Sequence, residues 1–183
     1  MISHGAMHAC RRQDVLTLQM LKIMDRLWKA EGMDFQMNVY GCISTGDEVG
    51  LLEVVLNSET MANISKQAGG ALAELTDSSV FTEWLRDQNR SEEAFRKSVD
   101  RFVLSTAAYC VATYVLGIGD RHNDNVMMTR VGQVFHIDFG HFLGNFKSKY
   151  GFKRERAPFV FTPQYAHVMG GAGSEQFEYF VDW

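Results

Sequence analysis

The sequence predicts an α+β domain, and three features carry that expectation. Two long stretches show helical apolar periodicity, over residues 13–31 and 91–117. Two pairs of short β-prone runs are joined by turn signals, one pair within 35–56 and the other within 126–137. An apolar fraction of 46% over 183 residues is enough for a real core, and one domain is the simplest reading of that length.

Along the chain, Val15, Leu18, Leu21, Ile23, Leu27 and Trp28 set the period of the first helix, and Gly32 supplies its stop. Phe35, Met37 and Val39 alternate with polar residues, Thr45 to Gly50 is turn-like, and Leu51 to Leu56 is apolar, which predicts two strands joined by a turn. Ser58 is placed to cap a short helix reaching Lys66, with a loop around Gly69, Gly70 and Ala71. Ser91, followed by Glu92 and Glu93, starts the second long helix, whose apolar face through Phe102, Cys110 and Val115 marks it as the central core helix, ending at Gly117. Val126–Thr129 and Gln133–Ile137, separated by Arg130-Val131-Gly132, form a hairpin signal. No internal repeat or low-complexity tract interrupts this order.

No apolar run approaches the roughly 18 residues that cross a bilayer, and Met1 to Cys10 lacks the marks of a secretory signal, so a soluble, cytosolic chain is expected. Cys10, Cys42 and Cys110 have no paired spacing and are expected as unpaired thiols. Net charge is −4, yet residues 147–156 hold five basic side chains against one acid. A single basic loop on an acidic body predicts a local anion site and argues against nucleic acid, which calls for positive charge spread along a face.

Chemistry concentrates between Asp120 and Gly140. Asn125 lies five residues after Asp120, and Asp138 thirteen after Asn125. An antiparallel hairpin over 126–137 brings its ends together, which places Asn125 beside Asp138. Two hard oxygen ligands at one point suit magnesium, which takes the rest of its shell from water and phosphates. The interval from Asp120 to Asn125 also matches the kinase pattern of a catalytic Asp followed by a metal-binding Asn, although His-Arg-Asp is replaced here by Asp-Arg-His.

Gly117-Ile118-Gly119-Asp120-Arg121-His122-Asn123-Asp124-Asn125 and Phe135-His136-Ile137-Asp138-Phe139-Gly140-His141 closely resemble the catalytic and activation-loop motifs of phosphatidylinositol 3-kinases. Arg12-Gln13-Asp14, Tyr40-Gly41-Cys42, Glu53-Val54-Val55, Tyr109 to Thr113 and Lys153-Arg154-Glu155-Arg156 extend the resemblance over residues 11 to about 170. It implies a protein-kinase-like (phosphoinositide 3/4-kinase) fold, with a partial N-lobe over 11–55 and a helical C-lobe over 56–183. The catalytic loop would be 117–125 and the activation loop 138–158.

The resemblance also implies roles. Asn125 and Asp138 would hold Mg2+, while Asp120, His122 and His141 would manage the attacking hydroxyl and the charge on the phosphoryl group, in a division the sequence leaves open. His136, on the strand, is read as structural. Glu53 and Val55 resemble the hinge that holds the adenine of ATP, and Met127 and Ile137 would wall the base, or be plain core residues. Lys147, Lys149, Lys153, Arg154 and Arg156 resemble the class I pattern, most like beta and delta catalytic subunits, that accepts a bisphosphorylated inositol lipid. A phosphoinositide at the membrane surface, a regulatory subunit, and a cytoplasmic enzyme peripheral to the plasma membrane when active follow as expectations.

The same comparison predicts a fragment, truncated at both ends. Only ten unmatched residues precede Arg11, where a phosphate-covering loop and an ATP-binding lysine would be needed, and the chain stops at Trp183, before the family's terminal helices. Asp14 and Tyr40, which resemble the pair supporting that lysine, are present. Three readings therefore stay open: a lipid kinase catalytic segment, a serine/threonine protein kinase of the related family, against which the Lys-Arg-Glu-Arg loop speaks, and a non-catalytic remnant.

Overall fold

The computed structural model describes residues 12–46, 49–70, 76–143, 148–149, 152–153 and 157–183. Helix α1 (Arg12–Ala30) leads into a two-stranded ribbon of β1 (Cys42–Gly46) and β2 (Val49–Leu52), then β3 (Ser58–Thr60) and α2 (Met61–Gln67). Helices α3 (Val80–Gln88) and α4 (Glu92–Leu116) precede the hairpin of β4 (Val126–Thr129) and β5 (Val134–His136). Short strands β6 (Ser148–Lys149) and β7 (Phe152–Lys153) pair with each other, and α5 (Pro163–Val168) and α6 (Glu175–Asp182) follow.

Helix α4 runs as its sequence predicts. The Ser91 hydroxyl accepts from the Ala94 N–H, acids fill the first turn, and Gly117 adopts φ 55° to end the helix in the left-handed cap that glycine favours. Its length and hydropathy would also suit a bilayer span, contrary to expectation, yet 67% of that window is buried within the fold, as in a central core helix.

The hairpin β4–β5 separates two cores. Val126, Met128 and Val134 turn toward a cluster built from α2, α3, α4 and α5, including Phe81, Phe102 and Tyr165. Phe135, Met127 and Ile137 turn the other way, toward Leu18, Leu21, Tyr40 and Tyr109. This is the period-two alternation of a strand buried on both faces. Two contacts seat the hairpin on α4. The Ser105 hydroxyl donates to Arg101 O (2.6 Å) and accepts from the Val134 N–H (2.9 Å). Gly132, at φ +96°, lies so close that a Cβ there would stand 2.0 Å from the Ser98 carbonyl oxygen.

Several expectations are corrected. Phe35 to Val39 is not a strand: the Asp34 carboxylate accepts from the Gln36 N–H and Gln36 takes φ 49°, so the extended run breaks even though Phe35 and Met37 bury themselves beside α1. The first strand is instead 42–46, paired with 49–52. Ser58 lies in β3, which pairs with β4, and Thr60 caps α2 by accepting from the Asn63 N–H (3.1 Å). Helix α3 had no sequence expectation. Cys42 is disulfide-bonded, so the three thiols are not all unpaired. Cys110 is free and buried, and burial pushes its thiol up to about 12.

Gly132→Ala is therefore expected to destabilise the chain by roughly 2 kcal/mol or more, from the sum of a left-handed φ and a backbone clash. Urea unfolding of the purified chain measures it. A loss within about 0.5 kcal/mol would show that the hairpin and α4 can separate without penalty.

Candidate functional site

The hairpin brings its two ends together. The Ile137 N–H donates to the Asn125 carbonyl (3.0 Å), continuing the β4–β5 ladder by one step and setting Asn125 and Asp138 side by side at its open end. Neighbouring segments fix this end from several directions. The Gly119 N–H donates to His141 O (3.0 Å) and the Leu143 N–H to Leu116 O (3.0 Å), strapping the chain after Gly140 to the end of α4. From α2, the Ala62 N–H donates to Asn123 O (2.9 Å).

Arg121 closes the site. Its guanidinium donates to the carbonyls of Gly119 (3.0 Å), Ile137 (2.7 Å) and Asp138, and reaches Asn125 O at 3.4 Å. It also lies 5.5 Å from the centre of the Phe139 ring, which is fully buried. One fixed fork thus holds both ends of the hairpin and the loop before it. Nothing in the sequence assigned it that work: read alone, an Asp-Arg pair is a surface salt bridge. Asp14 is a second anchor, its carboxylate accepting from the Phe139 N–H at 2.9 Å across from α1. Tyr40 packs nearby, and burial together with the charges of Asp14 and Asp138 raises its phenol well above the ordinary range.

Within this frame Asn125 is 5% exposed. Its amide group donates to Asp120 O, and its Oδ1 accepts from the His122 N–H (2.8 Å), which leaves one oxygen lone pair unused by that bond. Asp138 is exposed. Asp120 and Asp138 both take left-handed backbone, φ 57° and 54°, a conformation Asp tolerates better than most residues. The Asp120 carboxylate lies 3.8 Å from His141 Nε2, with the imidazole 12% and the carboxylate 40% exposed. His122 stays at the surface, its Nδ1 accepting from the Asp124 N–H at 3.3 Å. A cleft of about 200 Å³ borders Asp120 and Arg121 and is walled on its far side by residues 157–160.

The expected adenine-wall residues divide. Val55, Met127 and Ile137 all border the second core, partly buried. Glu53 is exposed, with its carboxylate accepting from the Gly41 N–H (2.6 Å), so its side chain braces the end of the β1–β2 ribbon. Of the basic loop, Lys149 and Lys153 lie on the paired strands β6 and β7, while Lys147, Arg154 and Arg156 fall outside the described residues. His136 is buried with its ring 4.6 Å from that of Tyr109, and burial holds its imidazole well below the usual pKa. Among the described residues no three His, Cys, Asp or Glu cluster as a metal cage. A carboxamide and a carboxylate at one hairpin end are the sparser donor set that magnesium accepts.

A carboxamide, two carboxylates and an imidazole lie where the loop after α4 meets the hairpin, in a mixed α+β fragment of the kinase-like fold. Residues 6–182 match the family model for phosphatidylinositol 3- and 4-kinases. The chain is 59% identical over 172 residues to phosphatidylinositol 3-kinase 1 of Dictyostelium discoideum, covering 94% of this chain and 11% of that protein. Identity to phosphatidylinositol 3-kinase 2 of the same organism is 59% over 170 residues, and to phosphatidylinositol 3-kinase 3 it is 54% over 171. The chain belongs to the phosphatidylinositol 3- and 4-kinase family and spans about a tenth of the length of these relatives.

Arg121→Met leaves several carbonyls without their charged donor. The amides of Ile137 and Gly119 are expected to exchange with deuterium at least about tenfold faster, with a global loss of roughly 1–3 kcal/mol. Arg121→Lys should recover only part of both, because an ammonium cannot span the carbonyls as a fork does. Unchanged exchange in the Met variant would show that the hairpin ends hold themselves together.

Proposed function

We propose that the protein transfers the γ-phosphoryl group of ATP to the 3-hydroxyl of an inositol lipid, with the 4,5-bisphosphate as its acceptor and a class I, beta/delta-like specificity. Family membership supports lipid kinase activity. The observation that carries the proposal is the placement of Asn125 and Asp138 at one hairpin end, beside an Asp120–His141 contact whose carboxylate residue also borders the cleft.

In this reading Asn125 and Asp138 hold Mg2+, which when bound would neutralise charge on the phosphates of ATP. The Asp120–His141 pair faces the acceptor: one of the two takes the proton of the 3-hydroxyl as its oxygen bonds to the γ-phosphorus and the bond to the β,γ-bridging oxygen breaks, releasing ADP. His122, more exposed, stabilises charge from the rim. Val55, Met127 and Ile137 wall the adenine, with Glu53 bracing the hinge from Gly41. Catalysis is mostly positioning, since a loose phosphoryl transition state asks little covalent work of the protein.

The basic loop reads the head group. Lys147, Lys149, Lys153, Arg154 and Arg156 can each make charge-assisted hydrogen bonds of about 1.5–3 kcal/mol to phosphate. The partner surface is then an anionic membrane leaflet, approached from the cytoplasm and at the plasma membrane, with a regulatory subunit holding the full-length protein in check.

Two experiments on the full-length protein test this. Asp138→Asn should lower lipid phosphorylation by on the order of 10²–10³ while the fold survives, as judged by its unfolding midpoint. Lys153, Arg154 and Arg156 changed together to Ala should abolish turnover of phosphatidylinositol-4,5-bisphosphate vesicles and spare Mg2+-ATP binding. Equal losses of lipid turnover and nucleotide binding would count against the head-group role of the loop, and phosphorylation of protein without lipid would overturn the acceptor.

A further inference from the structure

Five polar side-chain atoms are buried without a hydrogen-bond partner among the described residues; Asp25 Oδ1 and Ser65 Oγ stand apart, and the other three are Thr106 Oγ1 on α4, His136 Nδ1 on β5 and the Tyr165 hydroxyl on α5. These three residues are 2%, 7% and 2% exposed. All three line the same small cavity, together with the Cys110 thiol, and Phe159 and Val160 close it. Leaving a buried polar atom unpaired is costly, and three facing one space is not how isolated packing faults distribute.

The space fits one ligand class. It offers about 10 Å³ to the centre of a water-sized molecule, close to the minimum for a single water and too little for anything larger. Water carries two donors and two acceptors, so it can satisfy two hydroxyls and an imidazole nitrogen whichever tautomer the ring adopts.

We infer that this cavity is a structural water site, in which one buried water bonds to Thr106 Oγ1, His136 Nδ1 and the Tyr165 hydroxyl. The water cross-links three elements, adding to the Ser105–Val134 bond that already joins α4 to β5. One of them, β5, ends two residues before Asp138, and the cover formed by Phe159 and Val160 also walls the cleft beside Asp120. The site therefore ties the core helix to the two segments that frame the candidate metal and acceptor positions.

The isosteric changes Thr106→Val and Tyr165→Phe in the full chain test it, alone and combined. Each single change should lower the thermal midpoint by about 2–4 °C. The double variant should fall by little more than the larger single, since losing the shared water removes both bonds at once. High-resolution diffraction of the unaltered protein should place one water within about 3.2 Å of all three atoms. A map without that water overturns the inference even if the variants fail to fold. So do midpoints that stay or rise, as expected when an unpaired hydroxyl is deleted, and losses that simply add.

Discussion

Arg121 donates to backbone carbonyls that belong to both sides of a thirteen-residue excursion, and most of the candidate site depends on that bridge. Backbone hydrogen bonds can carry the β4–β5 ladder only as far as Asn125 and Ile137. Beyond it the two chains diverge, one toward the Gly119–Asn125 loop and the other into Asp138-Phe139-Gly140, and the carbonyls of Gly119, Ile137 and Asp138 accept from the guanidinium. A guanidinium supplies several donors in one plane from one side chain, which an ammonium or an amide cannot. The carbonyl dipoles and the Phe139 ring face its charge.

The clamp works because what lies beneath it is rigid. Helix α4 supports the hairpin through Ser105, whose hydroxyl bonds both the helix and the Val134 N–H, and through the close approach of Gly132 to Ser98. Side chains alternating across the hairpin fill two separate cores, so a slip of one residue would exchange both sets at once. Register is therefore specified twice, and the neighbouring positions of Asn125 and Asp138 inherit that precision. Asp14 adds a contact from α1, so the Phe139 backbone is held from the helix that its own side chain packs with in the second core.

Much of this was legible in the sequence because it rests on local patterns. The Ser91 cap and Gly117 stop bracket α4, and the spacing from Asn125 to Asp138 implies a hairpin that returns to its start. What stayed hidden depends on partners distant in sequence. The alternation at Phe35, Met37 and Val39 looks like a strand, yet an Asp34–Gln36 turn breaks it, and burial beside α1 alone accounts for its period. Strand β3 has three residues and exists because β4 offers an edge. Arg121 could be read only as a charge, since its acceptors are main-chain atoms that no residue type announces.

Strain and chemistry meet at the two left-handed aspartates. Asp120 at φ 57° and Asp138 at φ 54° each hold a conformation that costs an L-residue roughly 1–2 kcal/mol, somewhat less for Asp. At Asp138 the reversal sends the next side chain, Phe139, fully into the core while the carboxylate remains exposed. A residue in ordinary extended geometry would place consecutive side chains on opposite faces as well, but would carry the chain onward along the strand and away from the Gly119–Asn125 loop. The turn instead doubles it back, so that His141 meets both the Gly119 N–H and the Asp120 carboxylate. Burial of Phe139, on the order of 2 kcal/mol, and the charged hydrogen bonds of Arg121 are large enough to offset that strain. The Asp138 carboxylate is thus exposed not because the region is loosely held, but because apolar burial and main-chain bonding on the inner side hold an otherwise unfavourable backbone in place.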